Sequence, residues 1–272
     1  MRLMSYPICV TCGVQYEQAH FDPQHCRICE DERQYVGWDG QRWSTLEEMA
    51  SAGYRTVLRR EGELWGVGTE PSFAIGQRAL LVPGEGGNLL WDCVSFVDED
   101  AVAAVNDQGG IAAIAVSHPH FYSCAIAWSE AFGDVPVYLH HADREWVCRD
   151  GNITAWQGDS LEVLPGRTLI NAGVHFTGGT VLHWAQGAQG RGALCTSDVL
   201  TVVLDRRFIS FMYSYPNHIP ESPAVIERAL RLLEPFAFDT IYGGWWARVV
   251  ASDGKAAVAR SAARYLSRLQ QP

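Results

Sequence analysis

The segment 110–116 is almost purely apolar and stops abruptly at Ser117-His118-Pro119-His120. A run of that length, bounded by Gly and Pro, reads as a strand buried on both faces. A helical pattern follows over about 122–132, and 135–139 returns as a second buried strand that ends in His140-His141. Strand, helix and strand in that order predict a parallel pair with a right-handed crossover. The carboxyl ends of both strands then lie side by side, where open α/β sheets place ligands. His118, His120, His140 and His141 are thereby directed at one region.

The rest of the chain from about Val36 supports the same architecture. Short strands are expected at 55–60, 64–68, 74–81 and 88–94, and helices at 45–52 and 98–107. Further strands are expected at 153–156, 161–164, 168–172, 180–184, 192–195, 207–211 and 240–242, and helices at 223–233 and 255–269. Two sheets with helices outside them pack this order naturally. The 272 residues fit one α/β domain of roughly 230 residues with a small appendage. We divide the chain into 1–35 and 36–272.

The appendage is short of aliphatic residues, so it needs a staple to fold. Cys9-Val-Thr-Cys12 and Cys26-Arg-Ile-Cys29 are two CxxC knuckles separated by 13 residues. Each knuckle brings two thiolates to one ion, and two knuckles complete a tetrahedron. The expectation is a structural Zn²⁺ held by Cys9, Cys12, Cys26 and Cys29, with iron the alternative for tetrahedral sulfur. His20 and His25 stand close enough in sequence to replace one thiolate. Cys93, Cys124, Cys148 and Cys195 lie in apolar surroundings and read as buried packing.

A third histidine occurs in Asn171-Ala-Gly-Val-His175-Phe-Thr-Gly-Gly-Thr180, a Gly-rich loop before an apolar strand. Asp198 ends a further apolar strand at Cys195-Thr-Ser-Asp198. Three His and one Asp at strand ends suit a hydrolytic metal centre. Ser117-His-Pro-His120, the Gly-x-His175-Phe-Thr-Gly-Gly-Thr loop and Thr196-Ser-Asp198 together resemble the metallo-β-lactamase-fold superfamily. The resemblance covers roughly 36–272 and implies a four-layered αββα sandwich, an α/β (α+β) fold, with the metal at the sheet edges. It also departs from the family pattern. The usual HxHxDH motif gives way to Phe121, Tyr122 and Ser123 after His120, and Gly243-Gly-Trp245-Trp246 stands where a late His is usual. His118, His120, His175 and Asp198 remain as ligands for one ion, Zn²⁺ or Fe²⁺.

Three functions follow. A metal-activated water would hydrolyse an ester, thioester, lactone or amide, with Asp198, Tyr122 and His140 as catalytic groups. A mononuclear non-haem iron oxygenase is the alternative, since persulfide dioxygenases of this fold use ligands matching His118, His175 and Asp198. A non-catalytic metal-binding or interaction protein is the third. The expected partner is a small molecule. A net charge of −10 would repel a phosphate backbone and argues against nucleic acid. The beginning of the sequence shows no targeting run, and no apolar stretch is long enough to span a bilayer. A cytoplasmic, membrane-free location is therefore expected, and a reducing cytosol explains cysteines used as ligands. Trp245 and Trp246 are candidates for a pocket wall, and Asp92 for a carboxylate behind the site.

Overall fold

The computed structural model describes residues 6–269, so 1–5 and 270–272 at the two ends of the expected segments lie outside the described residues. The first sheet has seven strands: β1 (Arg55–Glu61), β2 (Leu64–Glu70), β3 (Ala79–Val82), β4 (Leu89–Trp91), β5 (Ala113–Ala115), β6 (Val137–His140) and β7 (Ile153–Trp156). They are neighbours in sequence order, antiparallel as far as β4 and parallel from β4 to β7. The second sheet has six: β8 (Ser160–Leu164), β9 (Arg167–Asn171), β10 (Thr180–Trp184), β11 (Ala193–Ser197), β12 (Thr240–Gly243) and β13 (Val249–Val250). Its one parallel pair is β11 with β12.

Alternation of side chains builds the layers. Leu80, Leu89, Trp91 and Ala115 from the first sheet meet Leu169, Leu182, Trp184 and Cys195 from the second in one buried cluster. The intervening Leu81, Leu90 and Ile114 face outward into a second cluster, which holds Met49 of α1 (Leu46–Ser51) and residues of α2 (Glu99–Asn106) and α3 (Ala125–Ala131). Ile170, Val181 and Leu194 face outward from the second sheet onto α4 (Pro223–Leu233) and α5 (Gly254–Leu269). Helix, sheet, sheet and helix are the four layers of the expected sandwich. Both faces of the central strands are buried, which is why their sequences are continuously apolar.

The strand–helix–strand unit is present, with β5 and β6 parallel neighbours. Its helix is shorter than the sequence pattern implies. Pro119 opens a short 3₁₀ turn at Pro119–Phe121, and Ser123 sits at φ 46°, so regular helix starts only at Ala125.

The cysteine-rich segment packs on the first sheet. Ile8, Val14 and Ile28 belong to the same buried cluster as Val116, Leu139 and Trp128. Ile8–Cys9 pairs with Trp43–Ser44, so this pairing crosses the boundary drawn at residue 35. Trp43 packs edge-on against Tyr16 and Phe21, at centroid distances of 5.0 and 4.8 Å. Among the described residues no helix is long and apolar enough to cross a membrane.

Candidate metal centres

The two knuckles converge. Cys9 Sγ lies 3.5 Å from Cys29 Sγ, and Cys12 Sγ lies 3.7 Å from Cys26 Sγ. One sulfur from each of the four cysteines lies within 4.8 Å of the others, and all four are buried. These separations are far beyond a disulfide bond of about 2.05 Å. They match the edge of about 3.8 Å of a tetrahedron whose metal–sulfur bonds are about 2.3 Å. Gln41 Nε2 donates to Cys9 Sγ at 3.1 Å, and Tyr16 Oη is 3.4 Å from Cys26 Sγ. Hydrogen bonds from Cys12, Cys26 and Cys29 hold the Cys9 thiol far below its ordinary pKa, while burial pushes Cys12 far up. The donor set fits a thiophilic tetrahedral ion and leaves no open position. His20 and His25 do not join it among the described residues.

The second cluster lies where the two sheets end together. His118 follows β5, Asp198 follows β11, and His175 sits at φ 69° in the loop between β9 and β10. Asp92 ties two of these ends together: its Oδ1 accepts from Ser117 N at 2.8 Å, and its Oδ2 accepts from Ser197 Oγ. The carboxylate behind the site is thus Asp92, between the residues that precede His118 and Asp198. Burial pushes its pKa up to about 7. Gly179 keeps the His175 loop tight, because a Cβ there would lie 2.2 Å from Val174 O.

His118 Nε2 faces Asp198 Oδ1 at 3.1 Å, and His175 Nε2 faces His120 Nδ1 at 3.2 Å. Donor atoms from all four residues fall within 4.8 Å of one another. His175 Nδ1 is 2.7 Å from Tyr213 O, so that nitrogen carries the proton and Nε2 keeps its lone pair. His118 Nδ1 is likewise engaged by Ser117 Oγ at 2.9 Å. Burial pushes His118 and His120 well below the usual imidazole pKa and His175 down to about 4, so all three are neutral near pH 7. Burial, with Asp92 nearby, raises Asp198 to about 8. His118 Nε2 and Asp198 Oδ1 are buried without a hydrogen-bond partner. Such groups are costly unless something is held between them. A single divalent cation fits this donor set.

Above His120 and Asp198 opens a cavity of about 230 Å³, with Tyr35, Ile75, Pro216 and Trp245 as its apolar walls and Arg33 and Gln34 at its side. Trp245 stands in this wall where the late His of the family is missing, and its Nε1 donates to Ile75 O at 2.8 Å. Trp246 does not join it; its ring lies against Gly66 and Gly68.

Two of the expected catalytic groups have other partners. Tyr122 is buried in the core and its hydroxyl donates to Asp143 O at 3.0 Å. It stands at the end of the 3₁₀ turn Pro119–Phe121, before the backbone reverses at Ser123. His140 is also outside the cluster. Its Nε2 meets Gly158 O and Asn171 Nδ2, each at 3.2 Å, and its ring packs on Trp156. Two hydroxyls lining the cavity meet the site, since Tyr215 donates to Asp198 O at 2.7 Å and Thr201 Oγ1 donates to the same oxygen at 3.1 Å. Glu221 Oε2 accepts from His175 N at 3.1 Å. Neither Tyr215 nor Glu221 carries a sequence signal beyond an aromatic, Pro-containing loop.

No family model matches the chain. It is 46% identical over 269 residues to YmaE of Bacillus subtilis (strain 168), described as an uncharacterized protein, covering 98% of this chain and 97% of that one. Among solved structures it resembles the metallo-β-lactamase FIM-1 from Pseudomonas aeruginosa in its mono-zinc form. That match has a TM-score of 0.58 and 13% identity, over 80% of this chain and 97% of that one. It also resembles TTHA1623 in a di-iron-bound form, with a TM-score of 0.52 and 22% identity, over 72% of this chain and 97% of that one. With this identity over nearly the whole of both chains and this arrangement of two sheets between helices, the chain belongs to the family of YmaE and has the metallo-β-lactamase fold.

Proposed function

We propose that this protein is a metal-dependent hydrolase that acts on a small ester, thioester, lactone or amide through one ion held by His118, His120, His175 and Asp198. The observation that carries this reading is the set of four buried, mutually facing donor residues, two of which, His120 and Asp198, line an open cavity. These four residues would hold a divalent cation, which when bound would supply Lewis acidity towards water and a carbonyl oxygen. The protein's own groups do the rest. Asp198 lies at the boundary of cluster and cavity with Oδ1 towards His118, so an ion held there would keep the carboxylate ionised and leave its second oxygen to accept a proton from an attacking water. Tyr215 fixes the Asp198 backbone through its hydroxyl. Tyr35, Ile75 and Trp245 exclude solvent and bind the apolar part of a substrate. Cys9, Cys12, Cys26 and Cys29 hold a structural Zn²⁺ in this reading. Eight free cysteines suit a reducing, cytoplasmic location.

The test is elemental analysis of the purified protein and of a His118→Ala variant, with hydrolysis assayed on a panel of esters, thioesters and lactones. The expected result is two ions per wild-type chain and one in the variant, with hydrolysis reduced about 100-fold or more. Unchanged hydrolysis in the variant sinks the reading. Iron at the second site with oxygen uptake replaces it by the oxygenase. Metal at the cysteines alone makes the protein a non-catalytic one.

A further inference from the structure

The cysteine-rich segment touches the second metal centre more closely than a separate folding module requires. Four residues after Cys29 comes Arg33, whose guanidinium is paired with Asp31 at 2.6 and 2.9 Å. Its Cζ lies 3.8 Å from the ring centroid of Phe176. Phe176 in turn packs against the three histidines among the four candidate ligands, at centroid distances of 5.4 Å from His118, 5.0 Å from His120 and 5.0 Å from His175. Arg33 Nη1 also donates to His175 O at 3.3 Å.

Glu32 makes a second connection. Its side chain accepts from Tyr213 Oη at 2.5 Å, and its carbonyl accepts from Ser214 Oγ at 2.6 Å and Asn217 Nδ2 at 2.7 Å. This loop holds both sides of the centre. Tyr213 O receives the His175 Nδ1 proton, and Tyr215 Oη donates to Asp198 O. Gln34 and Tyr35 then continue into the cavity wall. The segment is anchored locally by bonds from Glu30 N to Cys26 O and from Gln34 N to Asp31 O, both within or just beyond the second knuckle.

We propose that residues 31–35, anchored by the four-cysteine site, are a positioning element of the His/Asp centre, so that an ion at the cysteines sets the affinity for the ion at His118, His120, His175 and Asp198. The proposal rests on the metal-centre reading above and deepens it. Glu32 and Arg33 are positioning residues. They act on His175 through Tyr213 O, Phe176 and the His175 backbone. Groups behind metal ligands fix imidazole orientation and tautomer, and losing one costs about 10–100-fold in affinity.

The test uses the full-length protein loaded with cobalt(II). Thiolate-to-cobalt charge transfer reports the cysteine site, and weaker ligand-field bands report the His/Asp site. Each protein is titrated with a competing chelator. Arg33→Met and Tyr213→Phe are expected to leave the charge-transfer band unchanged, shift the ligand-field bands, and weaken the His/Asp site about 10-fold. Cys26→Ser/Cys29→Ser is expected to lose the charge transfer and to weaken the second site at least as much. If the double cysteine variant does not fold, the Arg33 and Tyr213 variants, with the knuckles intact, carry the decision. Wild-type affinity and spectrum at the His/Asp site in both variants overturn the proposal while leaving the metal-centre reading standing. Cobalt taken up by the wild type only at the cysteines defeats that reading itself, and the positioning role falls with it.

Discussion

Asp143 shows how one buried side chain sets a pH dependence that its sequence neighbours do not reveal. Burial pushes its pKa from 3.8 up to about 7, although Oδ1 accepts from Gly178 N at 2.8 Å. A raised carboxyl is protonated in the folded state at pH values where the unfolded chain has already released its proton. Its stabilising contribution is complete below the unfolded value, falls as pH rises above about 3.8, and is gone above about 7. An Asp143→Asn variant keeps an oxygen for Gly178 N and cannot ionise. Its melting temperature relative to wild type is therefore expected to rise between pH 4 and pH 8, by several degrees. A difference that stays flat across that range would show that Asp143 does not titrate there. The residue scale was partly legible beforehand. His118, His120, His175 and Asp198 each follow an apolar strand or a Gly-rich turn, so their types and places pointed to one site. Tyr122 and His140 pointed there too, and the structure gives both other partners, Asp143 O and Asn171 among them, because direction depends on the local backbone and on such contacts.

At the scale of elements, local chemistry and layer packing act together. Helix α2 starts at Asp98, whose Oδ1 accepts from Ala101 N at 2.8 Å, and carries Glu99 and Asp100 in its first turn. That cap satisfies an orphan backbone donor, and the acidic turn favours the helix N-terminus. Asp98→Ala is expected to destabilise the protein by about 1 kcal/mol, read as a lower urea midpoint with an unchanged slope. The buried strands were the most legible elements, because a strand inside four layers is apolar on both faces. The short pairs Thr201–Val202 with Ile209–Ser210 and Met212–Ser214 with Ile219–Pro220 were not read from the pattern, apart from the strand expected at 207–211. A pair of two or three residues is too short for a periodicity to emerge, and the second of these carries the loop behind His175.

The whole molecule holds two clusters of candidate metal ligands, and the cysteine-rich segment shares one buried apolar cluster with the first sheet. Ile8, Val14 and Ile28 lie in the same buried cluster as Val116 and Leu139, so the cysteine-rich segment and the first sheet share apolar surface. An ion bound by the native state alone stabilises it by mass action. Removing metal with a strong chelator is therefore expected to lower the melting temperature of the entire protein in one cooperative transition, by about 10 °C or more, as followed by calorimetry. A separate low-temperature step confined to the segment would show instead that it unfolds independently. The four-layered arrangement was implied by the resemblance that three motifs carry, whereas the sequence by itself determined most of the buried strands and helices, the paired knuckles and the four candidate ligands that the fold brings together. Those features depend on short-range periodicity and on residue types at strand ends. Only the tertiary structure decided which neighbours orient the ligands, since Arg33 meets His175 across 142 positions and Tyr213 meets Glu32 across 181. Contacts at that separation leave no local pattern, because they arise from how layers and loops pack and not from the spacing of residues along the chain.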